Sequence, residues 1–419
     1  MTDIKITAAD ARDALEFTGR VIDECGARLA GSDSCKKAAH IIMSEMRKYC
    51  DCVKIEAFDV YPESFLGFFK ITVVIYFLSS LLIFFDYIIA AAIGFLLIVF
   101  IVLSKSIFYW EIFDSFYRKM QGNNVVGSIE PAGNVKQQII LSAHHDSAYE
   151  FRFLAQHQRV YPLRILLSFL TVLTVFILSW IWVFYRLATG IDPAFGLYFR
   201  YAVFTGLIFV GPMYFFISKK GTPGAGDNMI ATAAIIKLAE LFQKASQKSG
   251  HLLQHTRLII LSTDAEEAGL RGARAYVKRH QKELRALPTY DFNIDSIYDV
   301  HELKFFTTDI NSLVRLSKKM AAQCGDIAAN LGYPVRLIPF PPGAGGTDAA
   351  EFAKIGVEAT TLIAMPTKLH HKKVVYHTLD DTVEHIEPAA VEATLKIALG
   401  YILKKEEDAS RETSTMRSW

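Results

Sequence analysis

Charge is scarce in this 419-residue chain and nearly cancels: 45 Lys and Arg face 43 Asp and Glu, together 21% of residues. Soluble domains carry about 25%. A nucleic-acid binder needs a basic excess, so that class is excluded. With 52% hydrophobic residues, a disordered chain is excluded as well. Cysteine is equally sparse. The five residues Cys25, Cys35, Cys50, Cys52 and Cys324 show no zinc-site spacing, and their odd number leaves one thiol unpaired, so a disulfide scaffold is excluded. No Asn-x-Ser/Thr acceptor occurs, and Met1–Cys25 holds no apolar core of the length a secretory leader needs. Together these absences predict a reducing compartment.

What the chain has in excess is apolar residues, and they are concentrated. Ile71–Phe85 and Tyr87–Leu103 are uncharged and separated by Asp86; Ile165–Tyr185 and Tyr201–Ser218 are uncharged and separated by a polar break with Arg186, Gly190, Asp192 and Pro193. A helix crosses the hydrocarbon core with about 20 apolar residues. The first run reaches that length by recruiting Leu66–Phe69 and letting Lys70 snorkel. Buried core helices are the competing reading, but core helices of this length keep a polar stripe. The pattern predicts four transmembrane helices as two hairpins, 63–106 and 161–220, inserted into a globular chain that otherwise occupies 1–62, 107–160 and 221–403, with a polar tail at 404–419.

The globular part reads as α/β. Helical periodicity marks Ala11–Cys25, Ser34–Lys48, Asp227–Ala245, Arg271–Glu283 and Pro388–Leu403. Strands are predicted at Val53–Val60, Val125–Glu130, Gln138–Ala143, Arg257–Ser262 and Thr360–Ala364. No internal repeats are visible, and Lys404–Trp419 is predicted to fray.

Polar residues gather where these elements begin and end. Strand 139–143 runs into His144-His145-Asp146-Ser147. Alternation puts His144 and Asp146 on one face and His145 on the other, the arrangement of a ligand imidazole with an orienting carboxylate. Gly224-Ala225-Gly226-Asp227-Asn228 opens a helix, where Asp227 could equally be an N-cap. The apolar strand at 258–262 leads into Asp264-Ala265-Glu266-Glu267, adjacent carboxylates that diverge in an extended segment, so that one can hold a metal while the other reaches its water. Asn293-Ile294-Asp295 and Tyr376-His377-Thr378-Leu379-Asp380-Asp381 complete the set. Each alone is weak, since a lone His or Asp is usually a satisfied or surface residue. N and O ligands without cysteine suit zinc.

In order and context the five segments resemble the co-catalytic zinc peptidases of clan MH, metallopeptidase family twenty-eight, which includes bacterial leucyl aminopeptidases, glutamate carboxypeptidase and, as a one-zinc relative, glutaminyl cyclase. Arg28-Leu29-Ala30-Gly31-Ser32 resembles the family's N-terminal segment. Gly346-Thr347-Asp348-Ala349-Ala350-Glu351-Phe352 resembles its Ser-Asp-x-x-x-Phe stretch near the substrate pocket, with Thr for Ser. The resemblance implies the zinc aminopeptidase/phosphorylase-like fold, a mixed β-sheet flanked by helices. It implies two co-catalytic Zn2+ ions, with His144 and Asp295 on one, Glu267 and His377 on the other, and Asp227 bridging both. Glu266 is then the general base acting on a water shared by the ions, and Asp146 orients a ligand. Met229-Ile230 and Tyr298 stand where the family has small residues, which bears on pocket shape.

The expected activity is hydrolysis of N-terminal residues from peptides. The alternatives are a carboxypeptidase or dipeptidase, for which Arg271, Arg274, Asp348 and Glu351 are candidate recognition residues, or a glutaminyl cyclase-like acyltransferase. His370-His371 could assist an oxyanion or simply lie in an exposed loop. A transporter with a regulatory soluble part is disfavoured by the lack of ionisable residues in the runs, and a non-catalytic relative by the complete ligand set. Lys105, Arg118, Lys119, Arg159, Arg164, Lys219 and Lys220 flank the hairpins on the globular side, predicting that side to be cytoplasmic. The insertion points further predict that the site faces the bilayer, the partners being peptide and lipid. Oligomeric state is not legible.

Overall fold

In a computed structural model the described residues are 4–250, 252–366 and 374–417; His370-His371 lies outside them. Eight strands form one mixed sheet: β1 (Cys52–Val60), β2 (Met120–Ile129), β3 (Gln137–His144), β4 (Thr256–Thr263), β5 (Thr289–Ile297), β6 (Leu303–Phe306), β7 (Arg336–Ile338) and β8 (Glu358–Ala364), in the order β1-β2-β4-β3-β5-β8-β6-β7. The central strand β3 is parallel to both neighbours, β4 and β5, and β8 is parallel to β5. Such a centre must be covered on both faces. Helices α1 (Ala8–Cys25), α2 (Asp33–Met46), α7 (Ile230–Ser249), α8 (Arg271–Ala286), α9 (Lys318–Asn330) and α10 (Pro388–Arg417) flank it. The core contains Ile139, Ile140, Leu141, Leu258, Ile260, Phe292 and Leu362, all fully buried.

The remaining apolar residues form four helices: α3 (Pro62–Phe84), α4 (Ile88–Val102), α5 (Tyr161–Thr189) and α6 (Gly196–Val210). Each lies in a helical span of 20 to 38 residues long and apolar enough to cross a membrane. They pack on one another through Tyr76, Phe95, Trp182 and Val203, while Ile71, Leu78, Ile93, Leu170 and Phe184 point outward uncovered. At the far tips Asp86 pairs with Arg186 at 3.0 Å and Arg200 at 2.7 Å, tying one hairpin to the other. The fourth span stops short of the predicted Ser218: Pro212 lies in a tight terminal turn, and Ile217–Gly221 pairs as a strand with Tyr149–Phe151.

Sheet direction fixes where the hairpins stand. β1 is antiparallel to β2, which is antiparallel to β4, so β1 runs in the same sense as β4 and β3. The predicted meander of the first three strands is interrupted by β4, yet the direction of β1 relative to β3 is as expected. α3 therefore leaves from the same edge at which β3 ends in His144. The chain returns from α4 to the start of β2 on that edge, and the second hairpin leaves and returns there through Tyr149–Phe151 and Ile217–Gly221. Both apolar hairpins stand on the carboxyl edge of the parallel strands, which is where open α/β sheets carry their sites.

Candidate metal centre

The carboxyl ends of β3, β4 and β5 bring the predicted residues together. His144 is the last residue of β3; Glu266 and Glu267 follow β4; Asp295 lies near the end of β5. His144 Nε2 is 3.4 Å from Asp227 Oδ1, 3.7 Å from Asp295 Oδ1 and 3.8 Å from Glu266 Oε2. His377 Nε2 is 3.0 Å from Asp227 Oδ2 and 3.1 Å from Glu267 Oε1. The two oxygens of Asp227 thus each face one imidazole. Ligand-capable atoms of His144, Asp227 and Glu267 lie within 4.8 Å of one another, as do those of His144, Glu266 and Asp295.

Buried polar groups are nearly always hydrogen-bonded. Here His144 Nε2, Asp227 Oδ2, Glu267 Oε1 and His377 Nε2 are buried with no hydrogen bond of acceptable geometry. They converge on shared space rather than on one another. This donor set, nitrogen and oxygen without thiolate, fits metal cations. The electrostatics point the same way. Burial and the neighbouring carboxylates raise Glu266 well above the usual range, and burial raises Glu267 to about 7. Burial alone would lower His377, but Glu267 and Asp227 beside it raise it to about 10.

The surroundings hold these groups in place. Asp146 accepts the backbone N–H of Glu266 on one carboxylate oxygen and that of Glu267 on the other, each at 3.1 Å. Its backbone carbonyl stands 3.2 Å from His144 Nδ1. His145 turns away and pairs with the Ser262 hydroxyl at 2.8 Å. Asp227 is not an N-cap: it sits in an irregular turn, Ala225–Met229, with φ −122° and ψ 84°, before α7 begins at Ile230. The Ser296 hydroxyl donates to Asp295 at 2.9 Å and to Asp227 at 3.3 Å. Asn228 donates to the Ile294 carbonyl and accepts from the Ser296 N–H, locking this turn to the end of β5.

Three supporting residues had no role in the sequence reading. Arg28, fully buried, donates to the carbonyls of His145, Pro223 and Gly224, stitching the end of β3 to the Asp227 turn. Asp381 accepts the N–H groups of Gly226 and Asp227. Tyr109, from the connection after α4, lines the cavity. Arg28 and Asp381 did fall within segments that carried the resemblance; Tyr109 left no such signal.

A cavity of about 190 Å³ opens onto the cluster, with Asp227, Glu266, Glu267, Asp295, Tyr376 and His377 on its floor. Its walls are mostly apolar, among them Phe65, Leu66, Leu270, Phe340 and Met365, and no Lys or Arg lines it among the described residues. Arg271 pairs with Glu111 and Asp114, and Arg274 with Glu111 and Glu351. Both arginines are therefore engaged elsewhere. Glu351 is held by Arg274, and Asp348 accepts from Thr263 beneath the site. The two departures from the family pattern fall outside the cavity lining: Met229 is core, and the Tyr298 ring fills the space where a Cβ on Gly226 would come within 2.1 Å. A second cavity, of about 240 Å³, lies at the opposite, amino end of β5 and β8 and holds no metal-capable cluster among the described residues.

Residues 213–402 match the family model of Peptidase family M28. No curated protein matches in sequence. Among solved structures, a zinc aminopeptidase from Bacillus subtilis is similar with TM-score 0.55 at 14% identity, over 94% of this chain and 95% of that one. A glutaminyl cyclase from Bacteroides thetaiotaomicron, bound to N-acetylhistamine, is similar with TM-score 0.56 at 12% identity, over 95% and 99%. An aminopeptidase from Aneurinibacillus sp. strain AM-1 gives TM-score 0.54 at 14% identity, over 95% and 93%. At these identities the likeness is one of fold, and the match to Peptidase family M28 covers the carboxyl-terminal part of the chain, which carries Asp227, Glu266, Glu267, Asp295 and His377.

Proposed function

We propose that this protein is a membrane-anchored di-zinc aminopeptidase. The observation that carries the reading is the convergence of two imidazoles and four carboxylates, several of their atoms unpartnered, on one buried point beneath an open cavity. His144 and Asp295 would hold one ion, Glu267 and His377 the other, and Asp227 both. Zinc bound there would supply Lewis acidity to a scissile carbonyl and lower the pKa of a water.

The chain's own residues do the remaining work. Glu266 stands beside the ligands without being needed as one, so it is free to take the proton of the attacking water and return it to the leaving amine. Asp146 fixes that carboxylate and the neighbouring Glu267 through their backbone N–H groups. Burial and the adjacent carboxylates push the Tyr376 hydroxyl well above its usual range. It stays protonated at the cavity floor, available as a donor to a developing oxyanion. A carboxylate-rich floor without a described Lys or Arg favours a substrate's ammonium terminus over its carboxylate terminus.

The four apolar helices support membrane anchoring, with the globular part on the cytoplasmic side. Arg186 and Arg200, the cations at the far tips, are both paired with Asp86, while the free lysines Lys219 and Lys220 flank the near side.

The test is metal analysis of the purified full-length protein together with a panel of free-amine, N-acetylated and Gln-initiated peptides. Two zinc ions per chain and cleavage confined to free-amine peptides are expected. Glu266→Gln should keep its zinc and lose roughly 10²–10⁴-fold in turnover. Undiminished cleavage by that variant would reject the mechanism, and pyroglutamate as the sole product would move the protein to the cyclase reading that its fold also admits.

A further inference from the structure

One wall of the cavity comes not from the sheet but from the apolar insertion. Phe65 and Leu66 belong to the first turns of α3, and Tyr109 to the connection after α4. The Phe65 ring lies directly on the turn that follows Glu266 and Glu267: a Cβ on Gly269, whose φ is +95°, would come within 2.8 Å of it. Tyr109 packs against Phe65 with ring centroids 4.9 Å apart. Its hydroxyl would be 3.3 Å from a Cβ on Gly345, in the Gly-rich segment that forms the facing wall.

Tyr109 is held in an unusual conformation. Its φ is +57°, a genuine outlier for a bulky residue. Arg271 and Arg274 both donate to its carbonyl, at 3.2 and 3.0 Å, and are themselves fixed by Glu111, Asp114 and Glu351. This backbone turn divides three consecutive aromatics. Tyr109 points inward and is 5% exposed, while Phe108 and Trp110 point outward, 42% and 45% exposed, stacked on each other at 4.9 Å. An outward Trp beside a membrane-length helix is the signature of the headgroup level. Strain held in place by surrounding donors at the lip of a site points to a functional side chain. Core packing alone would not require the ring to line an open cavity.

We infer that Tyr109, with Phe65 and Leu66, is the specificity wall of the peptidase site, and that it selects a large apolar terminal residue on a peptide presented from the bilayer surface. The inference rests on the peptidase reading above. Phe108 and Trp110 set the depth at which the cavity mouth meets the lipid, so a peptide anchored there reaches the site without leaving the interface.

The experiment uses the zinc-loaded full-length protein in phospholipid nanodiscs. Two reporter peptides, beginning with Leu or Ala, are each supplied free or with a carboxyl-terminal acyl anchor. Wild type is expected to favour Leu over Ala by roughly 10-fold or more, and the anchored over the free form. Tyr109→Ala should bring the Leu:Ala ratio of kcat/KM near unity, with the loss on the Leu peptide falling mainly on KM, and Tyr109→Phe should restore the ratio. Leu66→Ala gives an independent reading of the same wall should Tyr109→Ala fail to fold. Replacing Phe108 and Trp110 by Ser should remove the advantage of the anchored peptide only. An unchanged Leu:Ala ratio in Tyr109→Ala or Leu66→Ala, or equal rates for anchored and free peptides in wild type, would overturn the inference. Failure of the wild type to cleave any peptide is a different result, overturning the peptidase reading and this inference with it.

Discussion

Asp146 is a residue whose worth lies in having two acceptors. One oxygen takes the Glu266 N–H and the other the Glu267 N–H. In Asp146→Asn one of those oxygens becomes an NH₂ that must face an N–H donor. Groups that orient metal ligands typically contribute 10–100-fold, so kcat/KM of this variant should fall by about that factor, as peptide hydrolysis by protein of verified zinc content would show. Gly269 is the second position where one atom decides. With φ +95° and the Phe65 ring 2.8 Å from any Cβ, Gly269→Ala combines backbone strain with a clash and should cost about 1–3 kcal/mol, read as a lowered thermal unfolding midpoint. Of the candidate ligands, His144, Asp227 and Glu267 stand out in the sequence because they follow or open a predicted element, with polar groups where an apolar pattern stops, whereas Asp295 and His377 adjoin no predicted element. Arg28 was not legible as a support: its partners are backbone carbonyls at His145, Pro223 and Gly224, and no side-chain pattern announces a carbonyl. Tyr109 was hidden for a different reason, since it lies just past the predicted hairpin, in a stretch where no element and no polar motif was predicted.

At the scale of elements, sequence periodicity found those with one buried face and passed over those without one. β5 is buried at every position but Tyr290 yet carries Asp291, Asn293 and Asp295, which mask a strand pattern. Ser142 on β3 donates to Asp291 and its carbonyl accepts from Asn293, making the polar residues affordable inside a parallel pair. The short strands β6 and β7 and helix α9 were missed as well. α10 continues to Arg417 instead of fraying after Leu403, supported by i,i+4 pairs such as Lys404–Asp408 at 3.1 Å. α8 is fastened to β1 by an ion cluster with a defined pH signature. Burial alone would raise Glu56, but His280 and Lys54 hold it down at about 2, from 4.5, while Glu56 raises His280 above its ordinary 6.5. The depressed carboxylate contributes stability above pH 4.5 that is lost as pH falls toward 2. The raised imidazole contributes below pH 6.5 and its share is lost as pH rises through its folded value. Glu56→Gln should therefore lower the unfolding midpoint most between pH 4.5 and 6.5, with smaller differences at pH 3 and pH 9 in a thermal series. A deficit independent of pH would contradict this assignment.

For the whole molecule the informative fact is that both hairpins stand on the edge of the sheet that carries the candidate metal site. The insertion points and strand directions make this arrangement legible in the sequence. What they did not convey was that the insertion contributes a wall of the cavity, because contacts between segments as distant as Phe65, Gly269 and Gly345 exist only in the folded molecule. On the cytoplasmic reading, Cys52, exposed on β1, is a native topology probe. In a variant retaining Cys52 as its sole cysteine, a membrane-impermeant maleimide should label inside-out vesicles and spare intact cells. The reverse labelling would turn the protein over.

The ladders from which the hairpins hang carry a consequence for biosynthesis. Val60 is the register partner of Met120, and Tyr149 of Gly221, so each insertion is topologically an enlarged turn between paired strands. As the ribosome delivers the chain, β1 must wait for both helices of the first hairpin before β2 exists to pair with it. Closing so long an excursion is entropically costly, and on the membrane-anchored reading helices settled side by side in a bilayer would bring its ends together in advance. The ligands extend from His144 to His377, across the whole second hairpin. On the membrane-anchored metallopeptidase reading, the metal centre would be completed only after the second hairpin has been made, on a platform already set in the bilayer.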